Sequence, residues 1–395
     1  MAANSNALTY SPTNRLASAS GAWGSETFSY DGVGNRLSDV TALNRQSLYA
    51  VNSNRLTSIT ENAAAFRSYT YDGAGNTATE TRPGEVFAYT YNKRNRLALV
   101  TRNTIAYASY GYNALEQMTS RNTTAAGAPA GTVHYIYDQD GHLIAEADGA
   151  TGAVLRDYLW LPANDNNNDT RAEDMSLAAN DNGSALDLPL AVISNVNTSP
   201  TLAFVHTDHL GRPIRMTDGT KSTLWQASWK PWGEIQSLSG TQNLNQRFPG
   251  QYYQIETGLH YNWHRNYDPV TGRYTQPDPL RFVDGPSVYA YARNSPWMKT
   301  DREGLALADA IKIGGGLALV DGPVPIGDIV AVCVIAGAAI YDIYVLTSTS
   351  KNEDKEKKKE HTKNTRPSTY DKHTKPRPGR PKTKNRLKQN WTPNK

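Results

Sequence analysis

Phe28-Ser29-Tyr30-Asp31-Gly32-Val33-Gly34-Asn35-Arg36-Leu37 is the stretch whose reading decides the fold. Phe28-Ser29-Tyr30 alternates as a half-buried strand does. Asp31 to Asn35 is turn chemistry, in which Gly and Asn accept positive φ and Asp caps nearby backbone amides. Arg36-Leu37 then begins a returning strand. The same sentence recurs along the chain. Tyrosines at 10, 30, 49, 71, 91, 112 and 137 open such turns, and successive ones lie 19 to 25 residues apart. Asn14-Arg15-Leu16, Asn54-Arg55-Leu56, Asn76 and Asn95-Arg96-Leu97 follow their tyrosines as Asn35-Arg36-Leu37 follows Tyr30. One repeat is therefore one β-hairpin. Hairpins this small cannot bury a face alone and must stack into a continuous sheet.

The composition agrees. The 395 residues are 38% hydrophobic and 20% charged, with a mean hydropathy of −0.61. That is too polar for a multi-span membrane protein and too aromatic for wholesale disorder, and the length calls for more than one structural unit. Tyr outnumbers Phe 23 to 6, and 30 Gly with 21 Pro supply turns, so the expected body is all-β. The single cysteine, Cys333, excludes an internal disulfide framework and a cysteine-based zinc cage. No basic and then apolar leader opens the chain, so export is expected to need a dedicated machine or an upstream segment. Charge is unevenly placed. Residues 351–395 hold 16 Lys/Arg against 5 Asp/Glu, whereas the preceding 350 hold 25 against 32. An acidic body carries a basic tail, a pattern suited to a polyanionic partner.

Tyr-Asp-x-x-Gly-Asn-Arg at twenty-residue intervals resembles the YD repeat of the Rhs proteins, insecticidal toxin C subunits and teneurins. The resemblance implies a β-hairpin shell, or cocoon, around a toxic cargo, with residues 1–145 as repeats. About seven repeats are recognisable, so a partial shell is expected. Residues 146–305 resemble the Rhs repeat-associated core: Trp232-Gly233-Glu234, Arg247-Phe248-Pro249-Gly250-Gln251-Tyr252-Tyr253, Tyr267-Asp268-Pro269, Thr271-Gly272-Arg273-Tyr274, Asp278-Pro279 and Asp301 to Leu305. Within it, the Asn/Asp/Ala-rich residues 163–187 read as an inserted surface loop.

In this family the core ends in an intramolecular aspartyl protease built on two Asp-Pro-x-Gly boxes, the second closing with Leu at the cut. The boxes map onto Asp278-Pro279-Leu280-Arg281 and Asp301-Arg302-Glu303-Gly304-Leu305, their aspartates 23 residues apart. Asp278 and Asp301 would form the dyad, and Leu305–Ala306 would be the scissile bond. Paired carboxylates suit the task because one stays protonated while the other acts as a base. Two departures stand out. Arg281 replaces a glycine where positive φ is needed, and Arg302 brings a cation beside Asp301. Both aspartates also read as ordinary turn starters. Asp284 is a third carboxylate near the first box. Asp31, Asp72 and Asp138 read as turn residues rather than calcium ligands, since the closing Glu of an EF-hand loop is missing. His206, Asp208 and His209 do not share one strand face, and His260 and His264 sit in a strand-like segment where i, i+4 spacing brings no convergence. No metal and no cofactor is expected.

Past the core the family is hypervariable and usually carries a toxin. Residues 306–350 form a hydrophobic pretoxin segment whose apolar run, 329–341, is too short to span a bilayer and suits a membrane-interacting or buried helix. Residues 351–395 form a basic C-terminal segment, read as an α-helical or disordered toxin or tail. In it His373 and Asp371 are the candidate proton-transfer groups, with His361 a second imidazole. Arg377, Arg380, Lys382, Lys384 and Arg386 are the candidate phosphate contacts for RNA or DNA. The expectation is a secreted or cell-surface Rhs-type polymorphic toxin for interbacterial competition, exported by a dedicated system such as type VI secretion. It would enclose, cleave and deliver its own C-terminal segment and be matched by an immunity protein. The alternative is a non-toxic scaffold or adhesion fragment with a silent protease and an inert tail.

Overall fold

The computed structural model describes residues 6–124, 130–161, 188–283 and 285–305. The loop expected at 163–187 and everything from Ala306 onward, Cys333 included, lie outside the described residues, as does Asp284. What is described is all-β, apart from a 3-10 turn at Ala292–Asn294. A 20-stranded antiparallel sheet runs from β1 (Ala7–Tyr10) to β20 (Ile235–Gly240). Each strand pairs with its neighbours in sequence, and among the described residues β1 and β20 each keep one open edge, so the described sheet does not close. The strand ladder continues past residue 145. That boundary falls inside β14 (Leu143–Asp148), whose pairing with β15 (Val154–Trp160) carries the ladder onward.

The turns explain the sequence pattern. Asp31 Oδ1 accepts the Asn35 amide at 2.8 Å and its Oδ2 accepts the Asn35 side chain at 2.8 Å. Asp72 holds Asn76 in the same way, and Asp138 caps the amides of Asp140 and His142. The residue before the paired Asn, Arg, Gln or His is left-handed: Gly34 at +90°, Gly75 at +92°, Asn95 at +59° and Glu116 at +66°. Gly and Asn dominate there because a Cβ is least tolerable in that region.

The tyrosines join one repeat to the one before it. The hydroxyls of Tyr30, Tyr49, Tyr71, Tyr91, Tyr112 and Tyr137 donate to the carbonyls of Leu16, Arg36, Leu56, Thr77, Leu97 and Met118 at 2.7 to 2.9 Å. Each acceptor is the first residue of the preceding return strand. Farther along, indoles take over the task. Trp160 Nε1 reaches the Leu143 carbonyl and Trp229 Nε1 the Pro213 carbonyl, each at 2.8 Å.

A four-stranded sheet packs on the apolar face of the hairpins: β21 (Tyr252–Gln254), β22 (Leu259–Asn262), β23 (Arg265–Asp268) and β24 (Arg273–Tyr274). Tyr252, Leu259 and Tyr261 enter one cluster with Phe87, Leu97, Val100, Met118 and Trp225. Polar groups stitch the two layers. The side chains of Arg36, Arg82 and Arg96 donate to the carbonyls of Val270, Thr257 and His264, and the Thr77 amide donates to the Thr275 carbonyl. Arg67 bridges Glu80 at 2.8 Å and Asp268 at 3.0 Å, both buried. The alternation seen in Leu259–Trp263 does not mean a half-exposed strand. All four residues of β22 are buried, because the strand is covered on both faces. Among the described residues no helix is long and apolar enough to cross a membrane.

Removing the hydroxyl of Tyr91 by substitution with Phe strands the Thr77 carbonyl and should cost about 1 kcal/mol. A lower urea midpoint is expected, and an unchanged midpoint would show that the inter-repeat bond contributes nothing. A second test concerns Glu26, which burial first, and then Asp39, raise to about 7. A carboxyl raised in the folded state stabilises fully below its unfolded pKa and loses that contribution as pH rises through 7. Stability should therefore fall by on the order of 2 kcal/mol between pH 5 and pH 8. Glu26→Gln should flatten that fall, and a variant with the wild-type slope would remove Glu26 as the cause.

Candidate functional site

Each aspartate of the two boxes spends one oxygen on its own turn. Asp278 Oδ1 accepts the Leu280 amide at 2.7 Å, and Asp301 Oδ1 accepts the Leu305 amide at 3.0 Å. The turn-starter reading is thus true of one oxygen in each. The other oxygens converge. Arg265 Nη2 lies 2.9 Å from Asp278 Oδ2 and 3.0 Å from Asp301 Oδ2. The carboxylates therefore lie within about 6 Å of one another, where like charges alter each other's protonation. All three residues are buried: Arg265 is 1%, Asp301 2% and Asp278 4% exposed.

Their surroundings divide the pair. Asp301 Oδ2 also accepts the Tyr274 hydroxyl at 2.7 Å, so three donors face this one carboxylate. Burial, joined by the Asp301 charge, holds the Tyr274 phenol well above its ordinary range, so it stays protonated as a donor. Asn262 Nδ2 donates to the Tyr274 oxygen and to the Asp301 carbonyl, each at 2.7 Å. Asp278 is pushed up from the usual carboxylate range by burial, against the opposing pull of Arg265. Burial thus favours the protonated form of Asp278.

The approach to the expected cut is fixed by backbone. Arg265 Nε donates to the Gly304 carbonyl at 2.5 Å, and the His264 amide donates to the Glu303 carbonyl at 3.1 Å. Gly304 has φ +70°, and a Cβ there would stand 2.5 Å from the Asn262 carbonyl oxygen, so glycine is required. Arg281 does occupy the left-handed region, at +66°, so the first box keeps the glycine conformation without the glycine.

The guanidinium that pairs with Asp301 here is that of Arg265, thirteen residues before Asp278, and not one read from the neighbouring position Arg302. Sequence reasoning passed over Arg265. Its one signal is a lone cation in an aromatic strand, Arg265-Asn266-Tyr267-Asp268, which demands an anionic partner once buried. Its ring contact is equally silent in sequence: the guanidinium lies 3.7 Å from the Tyr274 centroid.

The other candidates are not brought together. His206 bonds Thr217 and His209 bonds the Trp297 carbonyl, while Asp208 caps Leu210 and Arg212. His260 bonds Gln251 at 2.7 Å, whereas His264 faces the Glu303 carbonyl. Asp138, Asp140 and His142 have ligand-type atoms within 4.8 Å of one another, but His142 Nδ1 already occupies Asp138 Oδ2. Ala306 and the tail candidates Asp371, His373, Arg377, Arg380, Lys382, Lys384 and Arg386 lie outside the described residues, as do His361 and the 329–341 run.

The RHS protein family model matches residues 202–238. Over 108 residues the chain is 42% identical to toxin protein Tse5 of Pseudomonas aeruginosa, a stretch making up 27% of this chain and 8% of that protein. It is 33% identical over 120 residues to double-stranded DNA deaminase toxin A of Burkholderia cenocepacia, covering 28% and 8% respectively. It is 32% identical over 108 residues to tRNA nuclease WapA of Bacillus subtilis, covering 26% and 5%. The matches thus span less than a tenth of these relatives' length. The crystal structure of TcdB2-TccC3 aligns with 77% of this chain and 17% of that chain at 16% identity and a TM-score of 0.40.

Arg265→Met should leave two buried carboxylates facing each other with no cation between them. A loss of about 3–5 kcal/mol is expected at pH 7.5, shrinking at pH 5 as the pair takes up a proton. Urea denaturation at the two pH values measures it. Equal losses at both would show that the guanidinium does not compensate these charges.

Proposed function

From the premise that the chain belongs to the Rhs/YD-repeat proteins, we propose that it is the carrier and self-processing part of a polymorphic toxin. The hairpin sheet and its docked core hold residues 306–395 as cargo and release them by cutting between Leu305 and Ala306. The observation that carries this reading is the convergence of Asp278 and Asp301 on Arg265, with the Leu305 amide bonded to Asp301.

The chemistry follows from the two environments. Asp301, faced by three donors, acts as the base that takes a proton from the attacking water. Asp278, raised by burial, is the acid that protonates the leaving amide nitrogen. Water adds to the Leu305 carbonyl, the C–N bond breaks, and a Leu305 carboxylate and an Ala306 amine result. Arg265 acts as a positioning residue: it holds the two carboxylates together and fixes the Gly304 carbonyl one residue before the cut.

Relatives named for DNA deamination and for tRNA cleavage share stretches with this chain. A segment common to different activities suits a carrier, with the effector lying elsewhere. On this reading the basic residues 351–395 are the effector, with His373 and Asp371 moving protons on RNA or DNA. Arg377, Arg380, Lys382, Lys384 and Arg386 would hold the phosphates. A dedicated secretion system would export the protein and an immunity protein would restrain its cargo. A second reading has one observation in its favour. An arginine buried between two carboxylates is also a complete structural clamp, and then the chain is an inert scaffold.

Intact mass of the purified chain decides between them. Two species, residues 1–305 and 306–395, are expected from the wild type and only full-length protein from Asp278→Asn. A wild type that stays whole would sink the self-cleavage reading and leave the scaffold.

A further inference from the structure

A cavity of about 420 Å³ opens between three successive repeat turns and the first aspartate box, a volume in the range of small-ligand pockets. Arg55 comes from one turn, Arg94 and Arg96 from another, and Arg281 from the box. Asp278 is the one acidic lining residue. It does not neutralise them, because its Oδ1 accepts the Leu280 amide and its Oδ2 faces Arg265. Glu116, outside the lining, is shared by Arg94 and Arg96. Arg55 lies over the Tyr71 ring at 5.6 Å. Among the described residues, neither Arg55 nor the exposed Arg281 has an acidic partner.

Cations gathered around a concave surface focus a positive potential, and an anion relieves it. Arg281 is the sharpest case. Its φ of +66° is a conformation that a large side chain adopts at a cost, so a long cation stands at the cavity where glycine would sit without strain. The charges select the class of anion. Four lining guanidinium groups, less the one charge of Glu116, leave an excess of three. A carboxylate offers a single charge on a flat pair of oxygens. A phosphate group offers about two charges and three acceptor oxygens, which suits guanidinium forks arriving from separate elements. Asn95 gives its side-chain oxygen to Asn76 at 3.2 Å, which leaves its amide nitrogen to donate into the same cavity.

We propose that this cavity is a binding site for a small anion carrying two or more phosphoryl groups, held by Arg55, Arg94 and Arg281. Such a ligand ties three repeat turns to the first aspartate box. It also lies beside Asp278, whose ionised form its charge disfavours, so an occupied site keeps that carboxyl protonated to higher pH. All the lining residues precede the Leu305–Ala306 bond, so the site stands whether or not the chain is cut.

Calorimetric titration of the full chain with inorganic pyrophosphate tests the site. One saturable site with a Kd below about 1 mM is expected, weakening as salt is added. Arg281→Gln and Arg94→Gln change exposed side chains and should each weaken binding about tenfold, the loss of one charge-assisted contact. Arg281→Lys keeps the charge without the fork and should fall between. Urea midpoints without ligand, expected unchanged, show that the variants fold. Tripolyphosphate and adenosine triphosphate separate the sources: tighter binding of the nucleotide assigns a nucleotide ligand, and equal binding an inorganic one. Wild-type affinity in both Gln variants would put the anion on another surface, such as the basic residues 351–395, and overturn the site. So would an absence of binding at about 10 mM pyrophosphate. Neither result bears on self-cleavage, which the intact mass reads by itself.

Discussion

A tyrosine hydroxyl on a backbone carbonyl is the interaction on which this architecture depends. A two-stranded hairpin is marginal in water, and successive hairpins are joined by strand pairing, which sets their spacing and shared face. The bond from Tyr91 to the Thr77 carbonyl reinforces that joint. It ties the end of one outgoing strand to the start of the previous return strand, and six repeats make it in the same place. Phenylalanine would pack but could not donate. This accounts for the excess of Tyr over Phe, and for Trp160 and Trp229 standing in where the repeat loses its tyrosine.

A sheet held this way leaves polar groups on its inner face, and the core is built to meet them. Buried Arg67 joins Glu80 of a hairpin to Asp268 of the core. Arg121 of β12 (Met118–Thr123) meets the buried Glu256 at 3.4 Å, and Tyr110 donates to the same carboxylate at 2.6 Å. Buried charges of this kind add little net stability over apolar packing, but losing one partner is expensive. They therefore set how the core seats on the hairpins more than how firmly. The candidate site inherits that seating, because β22, β23 and β24 carry Asn262, Arg265 and Tyr274.

Within the site, one guanidinium resolves a conflict. Two carboxylates buried together repel each other, and each would have to be neutral or paired. Arg265 supplies the pairing, and the donors around Asp301 make the two aspartates unequal. That inequality separates the pair from two equivalent turn caps. Gly304, which only a residue without Cβ can occupy, brings the Leu305 amide onto Asp301.

Much of this was legible in the residues. Period-2 strands, Asp-Gly-x-Gly-Asn turns and a twenty-residue interval determine an all-β hairpin ladder, because turn geometry and strand alternation are local. The spacing of Asp278 and Asp301 singled out the two carboxylates that the fold brings onto Arg265. What only the tertiary structure decided is everything that joins distant segments. Arg265 lies on a different strand from either box, β22 is covered on both faces despite its alternating residues, and the ladder runs past residue 145 with indoles in place of phenols. Local sequence specifies which conformations a segment can hold. Which buried charge finds which partner depends on how the layers pack, and a linear chain does not state that distance.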